Sequence, residues 1–203
     1  VLPIKLRRSY YLPPNELFYL VKYSFESLDG KKHEIKLLDL FRSGDAATGS
    51  CIESMCRFSP TDNLATISAS IYTDKSKKIT SQVSLSNGDW TNNENLLKQF
   101  EVNKGSFSTT KNYYSGKSVA FGSLYTFTVQ GKEEVVIPSI RAFGHDSTQS
   151  IQILKDALLK TPKGIIEETN KRFNDWLQSG IVPQLNDQDA LDLYYKSLLV
   201  LKN

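Results

Sequence analysis

Two adjacent carboxylate pairs, Glu133-Glu134 and Glu167-Glu168, are the first candidates for acid–base chemistry in this 203-residue chain. Hydrolysis of a glycosidic bond needs two carboxyl groups that face each other across the sugar, roughly 6.5–9.5 Å apart in inverting enzymes. Sequence neighbours point to opposite faces of a strand and diverge by about 100° on a helix. We therefore interpret both pairs as solvated charge and predict no catalytic residue.

Signatures of other chemistries are equally lacking in the sequence. It contains no nucleophile elbow, no phosphate-binding loop and no recognisable zinc-ligand spacing. Asp187 and Asp189 precede a predicted helix, where carboxylates interact favourably with the positive end of the helix dipole. They are expected to mark a helix start, so neither a metal site nor a cofactor is predicted.

The cysteines are few and point to structure rather than reactivity. Cys51 and Cys56 fall in a segment predicted as a single strand, residues 51–58, where an odd separation places two side chains on opposite faces. A disulfide between them is therefore not expected. His33 and His145 are too distant to complete a zinc site with them. The low cysteine content favours an intracellular, cytoplasmic parent protein.

Three aromatic residues lie in an irregular region, residues 87–117, between predicted strands. Trp90, Tyr113 and Tyr114 could present flat rings to the C–H faces of a sugar, and loops commonly carry binding residues. The alternative interpretation is that these rings fold back and cover the hydrophobic core. The three residues are the candidate carbohydrate contacts of this chain.

The elements that would position these residues form a regular series of β-prone segments and turns. Residues 17–28 are apolar on both faces, which is typical of a central strand covered on both sides. Asp29-Gly30 predicts a hairpin to the next strand, and Gly131-Lys132 predicts another hairpin before residues 134–143. A short helix is expected at 94–100. The predicted strands are residues 4–12, 17–28, 33–42, 51–58, 63–73, 78–86, 118–130 and 134–143. This series predicts an antiparallel β-sandwich.

Helical patterns replace the strands after residue 144. Asp146 or Ser147 can cap one helix, and Thr161-Pro162 begins a second, with proline near the first turn. Two large rings in the second helix are expected to pack it against its neighbours. The apolar stripe of that helix comprises Ile166, Thr169, Phe173, Trp176 and Leu177.

The final segment predicts one more helix, beginning near Asp187. Leu191, Tyr194, Tyr195 and Leu198 share a helical face, but Leu198–Leu201 are four consecutive apolar residues that point to every side. A helix that is apolar all round is normally buried all round. Leu198 and Leu199 are therefore expected to pack against a partner surface, either in a larger parent protein or by self-association.

Several of these segments carry a family resemblance. Asn174-Asp175-Trp176-Leu177, a loop with Pro183, and then Leu191-x-x-Tyr-Tyr-Lys-Ser-Leu-Leu-Val-Leu-Lys202 resemble glycoside hydrolase family 15 of bacteria and archaea, which includes glucoamylase, glucodextranase and trehalase-type enzymes. The segments Tyr10–Glu16 and Val136–Gly144 resemble its N-terminal domain. The match follows the chain in order.

The resemblance implies a domain plan and an activity for the parent. It implies a galactose-mutarotase-like super-sandwich over residues 1–144, a helical linker over 145–186, and the first helix of an (α/α)6 barrel, otherwise missing, over 187–203. The parent would hydrolyse α-glucosidic bonds with inversion. This chain, which lacks counterparts of the family's catalytic carboxylates, would be inactive and would support the barrel.

Two other functions remain open at this stage. One is a stand-alone carbohydrate-binding β-sandwich, and the other is the same portion of a disaccharide phosphorylase, which shares the architecture. The net charge of +3 is too small to indicate nucleic-acid binding. No apolar run approaches the roughly 18 residues that a membrane span needs. The expected partners are the parent's own barrel and, through the parent, an oligo- or polysaccharide.

Overall fold

The computed structural model describes residues 2–43, 47–52, 54–60, 66–89, 91–179 and 188. The described strands are β1 (Ile4–Tyr11), β2 (Phe18–Ser27), β3 (His33–Ser43), β4 (Ala47–Ile52), β5 (Met55–Pro60), β6 (Thr66–Ser70), β7 (Thr80–Asn87), β8 (Tyr113–Gly116), β9 (Val119–Val129) and β10 (Val135–Gly144). The helices are α1 (Leu96–Val102), α2 (Ser147–Leu159) and α3 (Pro162–Gln178).

The strands form two sheets. A seven-stranded sheet has the order β1-β2-β10-β6-β5-β4-β8, and a three-stranded sheet has the order β3-β9-β7. Every described pairing within them is antiparallel. The predicted mainly-β fold, an antiparallel sandwich followed by C-terminal helices, is confirmed.

The core lies between the two sheets because period-two patterns direct alternate residues inward. β2 contributes Val21, Tyr23 and Phe25, which meet Tyr125 and Phe127 of β9. A second cluster on the β5 side contains Phe58, Leu85 and Phe121 among its buried residues. The outer face of the small sheet is covered by α1, whose Leu96 is fully buried.

Helix α2 covers the outer face of the large sheet. Asp146 caps the helix by accepting a hydrogen bond from the Gln149 backbone at 2.8 Å. Leu154 and Ala157 of α2, together with Ile165 of α3, pack against the outward-facing apolar residues of β2 and β10, which are Phe18, Leu20, Ile140 and Ala142. The prediction that β2 is buried on both faces is therefore confirmed, and α2 is the element that covers its second face.

The two predicted hairpins are wrong. Asp29-Gly30 does reverse the chain, with Gly30 at a φ of +69°, but β2 and β3 lie in different sheets. Gly131 is also in the left-handed region, and β9 and β10 are likewise divided between the sheets. The two turns lie side by side, with the Gly131 N–H donating to the Gly30 carbonyl at 3.3 Å. Turn residues set the reversal, but which sheet receives each strand depends on long-range packing.

The single strand predicted at residues 51–58 is also wrong, and the cysteine prediction fails with it. The segment contains the end of β4 and the start of β5, which pair as a hairpin with Cys51 directly opposite Cys56. Their Cα atoms lie 4.1 Å apart and the two residues form a disulfide. Because the chain reverses between them, an odd separation no longer places the thiols on opposite faces. Disulfides are typical of oxidising compartments, so cysteine usage no longer favours an intracellular parent.

Smaller differences concern strand limits. Residues 43–50, which lie between two predicted strands, include the end of β3 and most of β4, and the irregular region contains β8 at the edge of the large sheet. The alternating strand predicted at 63–73 is observed as β6. Its polar face is buried as well, because α2 packs on it. The hydroxyl of Ser68 forms a hydrogen bond with the hydroxyl of Ser150 of α2 at 2.8 Å.

The predicted C-terminal helix, including Leu198 and Leu199, lies outside the described residues except for Gln188. Across the described part of the chain, no helix has the length and apolar character required for a membrane span. The domain limits at residues 144 and 186 stay predictions.

Candidate functional site

The loop aromatics are the first predicted site residues to place. Tyr113 on β8 is 62% exposed, whereas Tyr114 is half-buried and packs beside the core cluster around Phe58. Trp90 lies outside the described residues. Of the two described rings, one is therefore presented to solvent and the other covers the core, so each of the two interpretations fits one ring.

A polar cavity of about 220 Å³ lies near these rings, between β7 and α1. Its lining combines hydroxyl, amide and charged side chains, namely Ser86, Asn93, Glu94, Gln99, Ser108, Thr109 and Lys111 together with Leu85. The Lys111 ammonium lies 3.4 Å from Glu94 and 5.8 Å from the Tyr114 ring centroid. Lys111 therefore lines the cavity and also contacts Tyr114 of β8.

The chemistry that this cavity can support is binding rather than acid–base catalysis. Glu94 is the one carboxylate among its described lining residues, and its partner is an ammonium group. Gln99 accepts a hydrogen bond from Ser108 at 3.0 Å. Donors and acceptors of this kind can exchange their mutual hydrogen bonds for those of a sugar hydroxyl, but they do not form an opposed carboxyl pair.

A buried ion pair lies elsewhere, between the two sheets. Arg141 of β10 donates to Asp39 of β3 at 2.7 Å, and both side chains are almost completely buried. Tyr23 donates to the same Asp39 oxygen at 2.8 Å, and a second Arg141 nitrogen donates to the Tyr19 hydroxyl at 3.3 Å. The Arg141 guanidinium also lies 5.4 Å from the Phe41 ring centroid. These residues form a buried ion-pair cluster that links the sheets.

Four polar atoms of this region lack a hydrogen-bonding partner among the described residues: Asp39 Oδ2, Ser123 Oγ, Tyr125 Oη and Arg141 Nε. Ser123 stands directly opposite Asp39 in the β3–β9 register. Burial, reinforced by the Asp39 charge, raises the pKa of Tyr125 to about 12. The nearby Ser123 hydroxyl lowers the pKa of Tyr125 in part, although the two hydroxyls do not form a hydrogen bond. Burial and the same charge also raise the pKa of Tyr23.

Sequence reasoning missed this cluster, although a signal was present. Asp39 interrupts the inward-facing series Ile35, Leu37 and Phe41, and Arg141 is the one charged residue in the segment 135–144. A charge at an inward position of a buried strand needs a counter-charge. The signal could identify each residue as a member of some pair, but not the partner, because the two residues are 102 positions apart.

Three of the four carboxylates in the two adjacent glutamate pairs form surface ion pairs. Glu134 pairs with Lys22 at 3.6 Å, Glu167 with Lys163 at 3.7 Å and Glu168 with Lys160 at 3.2 Å. These contacts are consistent with the interpretation of both adjacent pairs as solvated charge. Within the described ranges, no group of three or more His, Cys, Asp or Glu side chains is placed to hold a metal ion.

Two surface depressions also carry two carboxylates each. Glu34 and Glu101 line an open one beside Lys36 and Lys104. Glu26 and Glu134 line another whose volume is only about 10 Å³, which is too small for a sugar. The first of these is therefore the place where hydrolytic activity of the chain itself is best tested.

The predicted packing residues of α3 are less buried than their stripe suggests. Of the predicted stripe only Thr169 is buried, whereas Ile166, Phe173, Trp176 and Leu177 are half-buried. The fully buried isoleucine is Ile165, which the predicted stripe did not include. The first half of α3 therefore fastens the helix to the sandwich, and the second half carries the large rings at an intermediate depth.

Two solved structures share this architecture. A bacterial glucoamylase in complex with acarbose matches 85% of this chain with a TM-score of 0.55 and 13% sequence identity. A proposed kojibiose phosphorylase from the human microbiome matches 84% of the chain with a TM-score of 0.50 and 14% identity. The chain spans 25% and 21% of those two chains, respectively. No protein family profile and no curated protein sequence matches this chain. At these identities the similarity concerns the fold.

Proposed function

We propose that this chain is the non-catalytic N-terminal portion of a glucoamylase-like glycoside hydrolase, which acts on α-glucosidic bonds with inversion. In this proposal residues 1–144 form a sandwich that supports a catalytic (α/α)6 barrel through the helical segment that follows. The chain does not itself hydrolyse glycosides.

One observation carries the proposal. The structural match covers 85% of this chain, which consists of two antiparallel sheets followed by α2 and α3, but only 25% of the glucoamylase chain. An architecture that fills only part of a larger enzyme is well suited to a supporting role. The rigid attachment of α2 and the start of α3 to the large sheet would fix the direction in which the chain enters the barrel.

The first experiment concerns the chain alone. We expect no turnover of maltose, starch, dextran or trehalose, because the cavity near β7 contains a single described carboxylate. Turnover that disappears in Glu101→Gln or Glu94→Gln, but persists in the surface control Glu167→Gln, would contradict this expectation.

The second experiment separates the hydrolase from the alternative disaccharide phosphorylase. The parent protein is assayed on maltose, kojibiose and trehalose with and without inorganic phosphate, and the anomeric form of the product is followed by NMR. A hydrolase releases free glucose in either buffer, with the anomer inverted. Sugar phosphate formed only in the presence of phosphate would establish the phosphorylase instead.

The third possibility, a stand-alone carbohydrate-binding module, is favoured by the exposed ring of Tyr113 and by a polar cavity whose Lys111 contacts the neighbouring Tyr114. An antibody raised against this chain distinguishes the binding module from the larger enzyme by the mass of the polypeptide that it detects in an extract of the source cells. Our proposal expects a polypeptide several times heavier than 22.9 kDa. A native product of about that mass favours the binding module.

A further inference from the structure

Three aromatic rings from neighbouring strands form a row on the inner face of the large sheet. Tyr10 of β1 and Tyr19 of β2 have ring centroids 6.2 Å apart, and Tyr19 and Phe143 of β10 have centroids 5.8 Å apart. Tyr10 pairs with Val21, which belongs to the core, so the row continues the core outward to the sheet edge. Tyr10 is 50% exposed and the other two residues are half-buried.

The middle ring of the row, Tyr19, is hydrogen-bonded to the buried ion-pair cluster. The Tyr19 hydroxyl accepts a hydrogen bond from Arg141 at 3.3 Å, and Arg141 is itself fixed by Asp39 at 2.7 Å. Phe143 follows two residues after Arg141 and therefore projects from the same face of β10. A surface whose rings are already fixed loses little conformational entropy when a ligand binds.

A cation lies beside the exposed end of the row. The Arg8 guanidinium lies over one face of the Tyr10 ring, 4.9 Å from its centroid, and over the Tyr23 ring at 5.3 Å, so the other face of Tyr10 is the one left for a ligand. The Arg8 side chain is exposed. Among the described residues, no carboxylate lies within 4.0 Å of its guanidinium nitrogens. Its planar fork of N–H donors can therefore serve a ligand oxygen.

We propose that the row Tyr10, Tyr19 and Phe143, with Arg8 beside it, is a binding surface for a neutral oligosaccharide. Consecutive pyranose units would place their C–H faces on the aromatic row, and hydroxyl oxygens would accept hydrogen bonds from Arg8. The surface is argued from the structure alone, and only the use of glucose oligomers as test ligands rests on the proposed function. The surface lies on the large sheet and is separate from the polar cavity beside α1.

The chemistry of the row favours a sugar over an apolar protein partner. The row combines ring surfaces with the Tyr10 hydroxyl and the Arg8 guanidinium, which suits a ligand that is apolar on its faces and polar around its rim. A protein interface over the same row would bury the Arg8 charge without a described counter-charge, which is costly. An oligosaccharide leaves that charge in contact with hydroxyl groups and water.

Isothermal titration of the 203-residue chain with maltoheptaose, isomaltoheptaose and cellohexaose tests the proposal. We expect binding of at least one of them, weakened about tenfold in Tyr10→Ala, which corresponds to the loss of one stacking contact. Arg8→Met keeps the aliphatic stem and removes the donors, so it should weaken binding about threefold, less than the loss of a ring. The control is Leu159→Ala, an exposed apolar residue of α2 outside both candidate surfaces, which should leave affinity unchanged. Tyr113→Ala is measured as well, because Tyr113 is the rival carbohydrate contact.

A second readout needs no variant. In the wild-type chain, ligand-induced NMR shifts of aromatic protons should be confined to the three rings of the row and to neighbouring Tyr23. Three outcomes overturn the proposal: no binding of any of the sugars, binding that is lost in Tyr113→Ala but kept in Tyr10→Ala, or a dimer in light scattering that Tyr10→Ala converts to a monomer. None of these outcomes decides the proposed function, which the assay of the parent's hydrolase activity tests separately.

Discussion

Removal of Arg141 from the buried ion-pair cluster should be one of the most damaging single changes in this chain. Arg141→Met leaves the Asp39 carboxylate 2% exposed and without its counter-charge. At 2.7 Å, and with an effective dielectric constant of about 20, the lost attraction is about 6 kcal/mol. The cost of keeping a carboxylate out of water remains and is several kcal/mol. Because the fold can relax and admit water, we expect the free energy of unfolding to fall by about 3–5 kcal/mol.

Removal of both charges should be much less harmful than removal of one. In the double variant Asp39→Leu/Arg141→Met, no ion is left buried, but the Tyr23 hydroxyl loses its acceptor. A buried hydroxyl without a partner costs about 1–3 kcal/mol. Addition of Tyr23→Phe removes that hydroxyl and should restore most of the remaining loss.

Urea denaturation followed by circular dichroism and tryptophan fluorescence measures these changes, provided that the two probes coincide. Arg172→Met, an exposed arginine on α3, is the control and should change stability by no more than about 0.5 kcal/mol. If each single variant costs under about 1 kcal/mol, the pair is solvated. If the single costs simply add in the double variant, Asp39 and Arg141 are not coupled. Either result would refute the reasoning.

Four further predictions concern other parts of the fold. Stability should fall as pH rises above 10, because the unfolded Tyr125 phenol releases its proton near 10.0 and the folded one only near 12; Tyr125→Phe should reduce this decline by up to about 1.4 kcal/mol per pH unit. Replacement of both Cys51 and Cys56 by serine should lower the free energy of unfolding by about 2 kcal/mol, the closure entropy of so short a loop. Gly144→Ala should destabilise by about 1–3 kcal/mol, because the added methyl would lie 2.5 Å from the backbone at the start of α2. Gly164→Ala should instead stabilise α3 by about 0.5–1 kcal/mol, because only a hydroxyl at 3.4 Å is nearby.

Each of these has a control within the chain. Phe127→Leu, on the same face of β9, should lower stability without changing the slope between pH 10 and 12. The cysteine variant should match the reduced wild type in urea, and a difference between them would indicate that serine itself perturbs the hairpin. Gly144 and Gly164 control each other, since the same substitution is expected to act with opposite sign. Equal effects at the two positions would contradict the role assigned to backbone crowding.

The sequence alone determined the features that depend on neighbouring residues. β-prone segments bounded by turn residues located β1, β2, β9 and β10 to within about two residues, because strand propensity and turn chemistry are local properties. Cap residues located α2 and α3, since Asp146 and Thr161 satisfy the first N–H groups of their helices. The change from strands to helices also followed from local pattern, and with it the general class of fold.

Tertiary structure decided the features that depend on which strands become neighbours. The same turn chemistry serves a hairpin or a crossing to the opposite sheet, so the partners of β3 and β10 were not encoded in their turns. The Asp39–Arg141 pair joins the two sheets and the row of Tyr10, Tyr19 and Phe143 crosses three strands, so both depend on sheet order and register. Register is selected by the burial of many side chains at once, and no single segment of the sequence contains that information.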